Sequence, residues 1–238
     1  MSAAVELIEV SRSFGEGHTR VVALHPTTMT VAEGEFLAIM GPSGSGKTTL
    51  LSLIGGLDRP SSGRIVVAGQ DLAKLNGGGL AMLRRRVVGY VFQDLNLLAG
   101  LTARENVALP LELDGRPAKE TRAAAAAVLE SLGLAELGDR FPNDLSGGEQ
   151  QRVAIGRALV GGRRILLADE PTGALDSMTG ESVMRLLRSH CIDGGTVVLV
   201  THDAAHAAWA DRVVFLRDGR IVDEARQPDG SSLVAGAA

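Results

Sequence analysis

The 238-residue chain contains one cysteine, Cys191, so no internal disulfide can form and a reducing compartment is the expected setting. No apolar run approaches the roughly 18 residues needed to span a bilayer. The opening MSAAVELIEV lacks the basic stretch and apolar core of a secretory leader. Any membrane-spanning part is therefore expected on a separate polypeptide. A basic excess is missing as well. The formal charge is −4, which argues against a general nucleic-acid binder. Internal repeats and long heptad runs are absent. What is present, 45% hydrophobic and 22% charged residues, is the composition of a globular protein with ample length for a core.

Short β-branched runs recur along the chain: VELIEV from Val5, FLAIM from Phe36, RIVVAG from Arg64, VVGYVF from Val87, RILLAD from Arg164 and TVVLV from Thr196. Several are apolar nearly throughout, as strands buried on both faces of a mostly parallel sheet should be. RVVFL and RIVDE, separated by Arg217, Asp218 and Gly219, predict a hairpin turning at Asp218-Gly219. Between Asp94 and Val160 no strand pattern occurs. TARENVALPL, AKETRAAAAAVLESLGL and SGGEQQRVAIGRALV read as helices there, the second with Pro117 in its first turn and Gly133 at its end. The expected organisation is a single domain: an α/β core over 1–93 and 161–227, interrupted by a helical subdomain over 94–160, with a loose tail over 228–238.

GPSGSGKT, from Gly41 to Thr48, matches the eight-residue P-loop pattern between an apolar strand and a helical pattern. Gly41, Ser43, Gly44, Ser45 and Gly46 let successive amides curl around a phosphate chain, and the following helix adds its positive end. Lys47 would reach the β- and γ-phosphates, Thr48 would bind Mg²⁺, and Thr49 would lie near the inner phosphates. RILLAD-E places Asp169 and Glu170 at the end of a buried strand, where α/β sheets hold their chemistry. Asp169 suits the magnesium shell and Glu170 suits polarising an attacking water. Nucleoside triphosphate hydrolysis is the expected chemistry.

A second glycine turn, LSGGEQQ from Leu145, opens another helix. With VFQD around Gln93, GALD at Gly173–Asp176 and THD around His202, the chain resembles the nucleotide-binding subunit of ABC transporters over nearly its whole length. That resemblance implies the P-loop ATPase fold of the family: a mostly parallel α/β sheet core, an antiparallel β part and an inserted helical subdomain. It also implies ATP and Mg²⁺ as ligands. Phe14 would stack on adenine, where tyrosine is usual. Gln93 would touch Mg²⁺ or the water, and His202 would contact the γ-phosphate and orient Glu170. Ser146, Gly147 and Gly148 would close over ATP held by a second copy, head to tail, with Asp176 near the junction. Since no motif is defective, a symmetric homodimer is expected.

GGLDRPSSG, LTARENVALPL and ADEPTGALDS look like the lipoprotein-release, macrolide-exporter and cell-division ATPases. The resemblance implies a separate transmembrane permease, whose cytoplasmic helix is received near Leu95, Leu97 and Leu98, a place for this chain on the cytoplasmic face of the membrane, and no nucleic-acid partner. Two alternatives stay open on sequence alone: the ATPase of a solute importer, and a soluble ABC ATPase of repair or translation. His18, His25, His190 and His206 read as surface residues.

Overall fold

The computed structural model describes residues 2–226 other than 174 and 176. Asp176 and the 228–238 tail therefore lie outside the described residues. In chain order, β1 (Ala3–Phe14) and β2 (Val21–Ala32) pair antiparallel, and β3 (Phe36–Met40) leads through the P-loop into α1 (Lys47–Ile54). Next come β4 (Ser62–Val67), β5 (Gln70–Asp71), α2 (Gly77–Arg86) and β6 (Val88–Val91). Three helices follow: α3 (Ala103–Leu113), α4 (Ala118–Ser131) and α5 (Gly147–Leu159). The remainder is β7 (Ile165–Asp169), α6 (Ser177–Ile192), β8 (Thr196–Val200), α7 (Ala204–Ala207), β9 (Arg212–Arg217) and β10 (Arg220–Arg226).

These strands form two sheets. One is antiparallel with the order β2-β1-β4-β5; the other runs β10-β9-β3-β8-β7-β6, parallel except for the β9–β10 hairpin. The hairpin turns on Asp218 and Gly219, both left-handed (φ 48° and 69°), as a two-residue turn between twisted strands requires. The apolar runs of β3, β7 and β8 are explained by burial on both faces. Phe36, Ala38, Leu166, Ala168, Val197 and Leu199 face a core shared with α3–α6. Their alternating neighbours Leu37, Ile39, Ile165, Leu167, Val198 and Val200 face a second core, built with α1 and the antiparallel sheet.

The helical segment is fastened to this frame by specific polar groups. Gly133 (φ 67°) ends α4 with its N–H on the Glu130 carbonyl and the Leu134 N–H on the Leu129 carbonyl, a Schellman-type closure. Pro117 sits one position before α4 as its N-cap residue. Arg163, 3% exposed, donates to the Arg157 and Ala158 carbonyls at the end of α5 and to the Arg85 carbonyl of α2. Burial pushes its guanidinium pKa down to about 10, so it stays charged at neutral pH. Among the described histidines, His18 is exposed, but His25, His190 and His206 are half-buried, contrary to expectation. The His190 ring fills the space against Gly195, and burial lowers its pKa.

Candidate active site

Strand register brings the separate sequence motifs to one sheet edge. Ile39 of β3 pairs with Val200 of β8, Val200 pairs with Asp169 of β7, and Ala168 pairs with Val91 of β6. Gly41, His202, Glu170 and Gln93 each lie just past these levels. They occupy the C-terminal edge of four adjacent parallel strands, where side chains converge without blocking the core.

At the P-loop, shape is imposed by the chain itself. Gly41 (φ 156°) has no room for a side chain, since a Cβ there would sit 2.0 Å from the Leu216 carbonyl oxygen. Gly46 (φ 101°) is left-handed, and its Cβ would lie 2.4 Å from the Ala23 carbonyl oxygen. Gly46 is the N-cap of α1 and gives no side-chain cap. Among the described residues, the N–H groups of Gly44, Gly46, Lys47 and Thr48 have no hydrogen-bond partner. A helix start with open amides and a curled glycine backbone is a concave anion cradle. Lys47 is buried, and its ammonium donates to the Gly41 and Pro42 carbonyls at 2.8 and 2.9 Å. Ser45 Oγ is buried without a partner among the described residues.

Asp169 ends β7, 3% exposed, with its Oδ1 without a partner among the described residues. Burial raises its pKa, and the neighbouring Thr48 hydroxyl pulls the other way. An orphaned buried carboxylate oxygen beside a hydroxyl fits a hard divalent cation. No group of three or more acidic, His or Cys side chains that could hold a metal occurs among the described residues.

Glu170 follows in the left-handed region (φ 47°), its N–H on the Val200 carbonyl at 2.9 Å. Its Oε1 lies 2.9 Å from Nδ1 of His202, whose side chain is 73% exposed. The carboxylate selects the tautomer with the proton on Nδ1 and leaves Nε2 available. Gln93 is exposed in the turn after β6. The segment beyond it, with Leu95 and Asn96 left-handed, is gripped from α5 by Arg157, which donates to both their carbonyls. Of the three leucines there, Leu97 packs on the core, Leu95 is half-buried and Leu98 is 48% exposed.

Sequence reading missed His206. Its Nδ1 lies 3.0 Å from Thr172 Oγ1 and 3.4 Å from Asp203. With Glu170, His202 and Trp209 it lines a cavity of about 560 Å³. A signal existed, the four-residue spacing from His202, but its partner Thr172 is visible only in the fold.

The second glycine turn is built differently. Ser146 is the N-cap of α5, and its Oγ accepts from Glu149 N–H. Glu149 Oε2 accepts from both the Ser146 N–H (2.7 Å) and its hydroxyl (2.9 Å), a complete capping box. Those bonds hold the Glu149 pKa below the ordinary carboxylate range. Gly147 and Gly148 have helical φ, and their N–H groups have no partner among the described residues. A Cβ on Gly147 would meet nothing within 4 Å; one on Gly148 would make ordinary contacts with Leu175 and Thr179 at 3.5 and 3.7 Å. Phe14, at the end of β1, is 44% exposed with the Arg12 guanidinium 4.4 Å from its ring centroid.

The profile of the ABC transporter family matches residues 24–173. The macrolide export ATP-binding/permease protein MacB of Brucella melitensis biotype 1 is 49% identical over 225 residues, covering 94% of this chain and 35% of that protein. MacB of Azoarcus sp. is 50% identical over 218 residues, covering 92% and 33%. The chain thus spans about a third of the length of these relatives. Dimeric MJ0796, a bacterial ABC transporter cassette, superposes with a TM-score of 0.89 at 43% identity, covering 93% of this chain and 98% of that one. The same cassette in a dimeric post-hydrolysis state bound to ADP and Pi agrees equally well. With its P-loop, Gln93, Asp169-Glu170 and His202 gathered on one sheet edge and these likenesses along its length, the chain belongs to the ABC transporter family as an ATP-binding domain.

Proposed function

We propose that the chain binds and hydrolyses ATP, and that two copies close head to tail with each ATP held between the P-loop of one and the LSGGE turn of the other. One observation carries the dimer. Gly41 and Gly46 are demanded by the chain's own backbone, whereas among the described residues nothing demands glycine at 147 or 148. Mid-chain glycine in a helix costs stability relative to alanine. Two bare, unpartnered amides at an exposed helix start are suited to a phosphate approaching from outside the chain. The dimeric MJ0796 cassettes are consistent with that arrangement.

In this reading Lys47 moves from the Gly41 and Pro42 carbonyls to the β- and γ-phosphate oxygens. Thr48, Asp169 and Gln93 are the residues that would hold Mg²⁺, which supplies positive charge at the phosphate oxygens when bound. Glu170 takes up the proton of the attacking water, and His202, hydrogen-bonded to that carboxylate, aligns it and contacts the γ-phosphate through Nε2. Ser146, Gly147 and Gly148 complete the cradle from the other copy, while Ser43, Gly44, Ser45 and Thr49 line it from within. Asp176 is proposed at the junction of the two copies.

No helix among the described residues is long and apolar enough to cross a membrane. As a further part of this proposal, the work of the dimer passes to a separate permease, docked near Leu98, with the domain at the cytoplasmic face of the membrane. Export or mechanotransmission is favoured by the likeness to MacB, whose name joins ATP binding to a permease. A Glu170→Gln variant tests the central claim. ATP should shift it to a dimer on sizing chromatography while the unliganded protein runs as a monomer; a variant that stays monomeric in saturating Mg-ATP overturns the reading.

A further inference from the structure

We propose that Arg12 is a positioning residue for the nucleotide base, acting through Phe14; this rests on the reading of Phe14 as the base platform. Arg12 and Phe14 are two apart on β1 and so project from the same face. The guanidinium lies over the ring at 4.4 Å, within cation–π range. It is not free to leave. Its Nε and Nη2 donate to the two carboxylate oxygens of Asp58 at 2.7 and 2.8 Å, a bidentate pair.

Asp58 follows the end of α1, and its own N–H reaches back to the Ser52 carbonyl of that helix. The other end of α1 is the phosphate cradle. A rigid path thus runs from cradle to ring: α1, Asp58, Arg12, Phe14. The strand register sets the distance between the two subsites, since Phe14 pairs with Val21 and Ala23, two residues on, is the carbonyl that Gly46 packs against.

The consequence for binding is physical. A phenyl ring at a strand end swings between rotamers, and ordering it on binding costs free energy. A guanidinium clamped on one face removes that freedom beforehand. It also draws π density from the ring, which favours stacking of an electron-rich purine on the opposite face. The arrangement compensates for a platform without a hydroxyl to anchor it, because Phe14 has no polar group of its own.

Calorimetric titration with Mg-ADP and with Mg-pyrophosphate separates base from phosphate recognition. Phe14→Ala should weaken ADP about tenfold, as loss of a base-stacking ring does. Arg12→Met, which keeps the stem and removes the charge, should weaken ADP about 3- to 5-fold, as should Asp58→Asn in part. Pyrophosphate affinity should be unchanged in all three. If Phe14→Ala leaves ADP affinity intact, the base-platform reading fails. Should Phe14→Ala weaken ADP while Arg12→Met does not, the role assigned to Arg12 is overturned. Equal loss for ADP and pyrophosphate in Arg12→Met would also overturn it, since the effect would then lie in the phosphate cradle or the fold.

Discussion

The chain has two glycine-led helix starts, and they solve opposite problems. At α1 the N-cap is a left-handed glycine with no side chain, the amides are left open, and the surrounding backbone leaves no room for a Cβ. At α5 the N-cap is Ser146, locked by Glu149, and the following glycines have space around them. The first start takes a backbone conformation that glycine alone adopts readily. The second is a closed capping box whose first two amides stay open among the described residues. A twin of that cap exists at α3, where Thr102 and Glu105 make the same reciprocal bonds, but the two residues after Thr102 are alanine and arginine. Comparing the three separates the places: glycine meets a backbone requirement at α1, α3 does without it, and at α5 its proposed use is access from outside the chain.

Gly46→Ala should produce the largest effect. It forces a Cβ toward the Ala23 carbonyl at a left-handed residue, at a cost on the order of 1–3 kcal/mol in stability. Nucleotide affinity should fall by more than about 100-fold, about 2.7 kcal/mol. Gly147→Ala and Gly148→Ala should do the reverse to the isolated protein, raising its melting temperature by about 1 to 4 °C. ADP should still bind, yet in a Glu170→Gln background ATP should no longer drive dimerisation. Unfolding of either variant in calorimetry would erase the contrast between the two starts.

A smaller pair of changes sharpens the comparison of α5 with its twin. Ser146→Ala and Thr102→Ala should each lower stability by about 1 kcal/mol through loss of a cap. Sizing chromatography with ATP in the Glu170→Gln background should then separate them, with dimer lost in the first and kept in the second. The smallest effect is in acid. The Glu149 pKa is depressed below its ordinary 4.5, chiefly by the Ser146 N–H. Its contribution to stability is present above that value and lost as pH falls through the depressed one. Melting temperature measured from neutral pH downward should drop less steeply in Glu149→Gln than in the parent.

Most of the architecture was legible because strong signals agreed. Both faces of β3, β7 and β8 are buried, so their sequences are apolar without alternation, and Asp218-Gly219 marked the last hairpin. What escaped had a physical cause. In β2 the buried residues switch parity, from Leu24 to Thr27, Met29 and Val31, because the register against β1 shifts between Leu24 and Thr27. No period-two pattern survives that shift. The helix α2 opens with three glycines and buries Leu83 alone, so it is held by the Asn76 cap and its neighbours, not by propensity. Within the site, motif spacing revealed the residues that would face nucleotide, while those acting through another side chain, Arg12, Asp58 and His206, became visible only once the fold placed their partners.

The β9–β10 hairpin has a consequence for how the protein is made. Its Gly219 N–H holds the Ser45 carbonyl at 3.0 Å, and the Leu216 carbonyl is the wall against which Gly41 packs. A ribosome delivers GPSGSGKTT well before DGRIV. Until the late segment emerges, the nascent chain carries the letters of a phosphate site without the walls that shape it. The walls of the P-loop are thus complete only once the β9–β10 hairpin has been added.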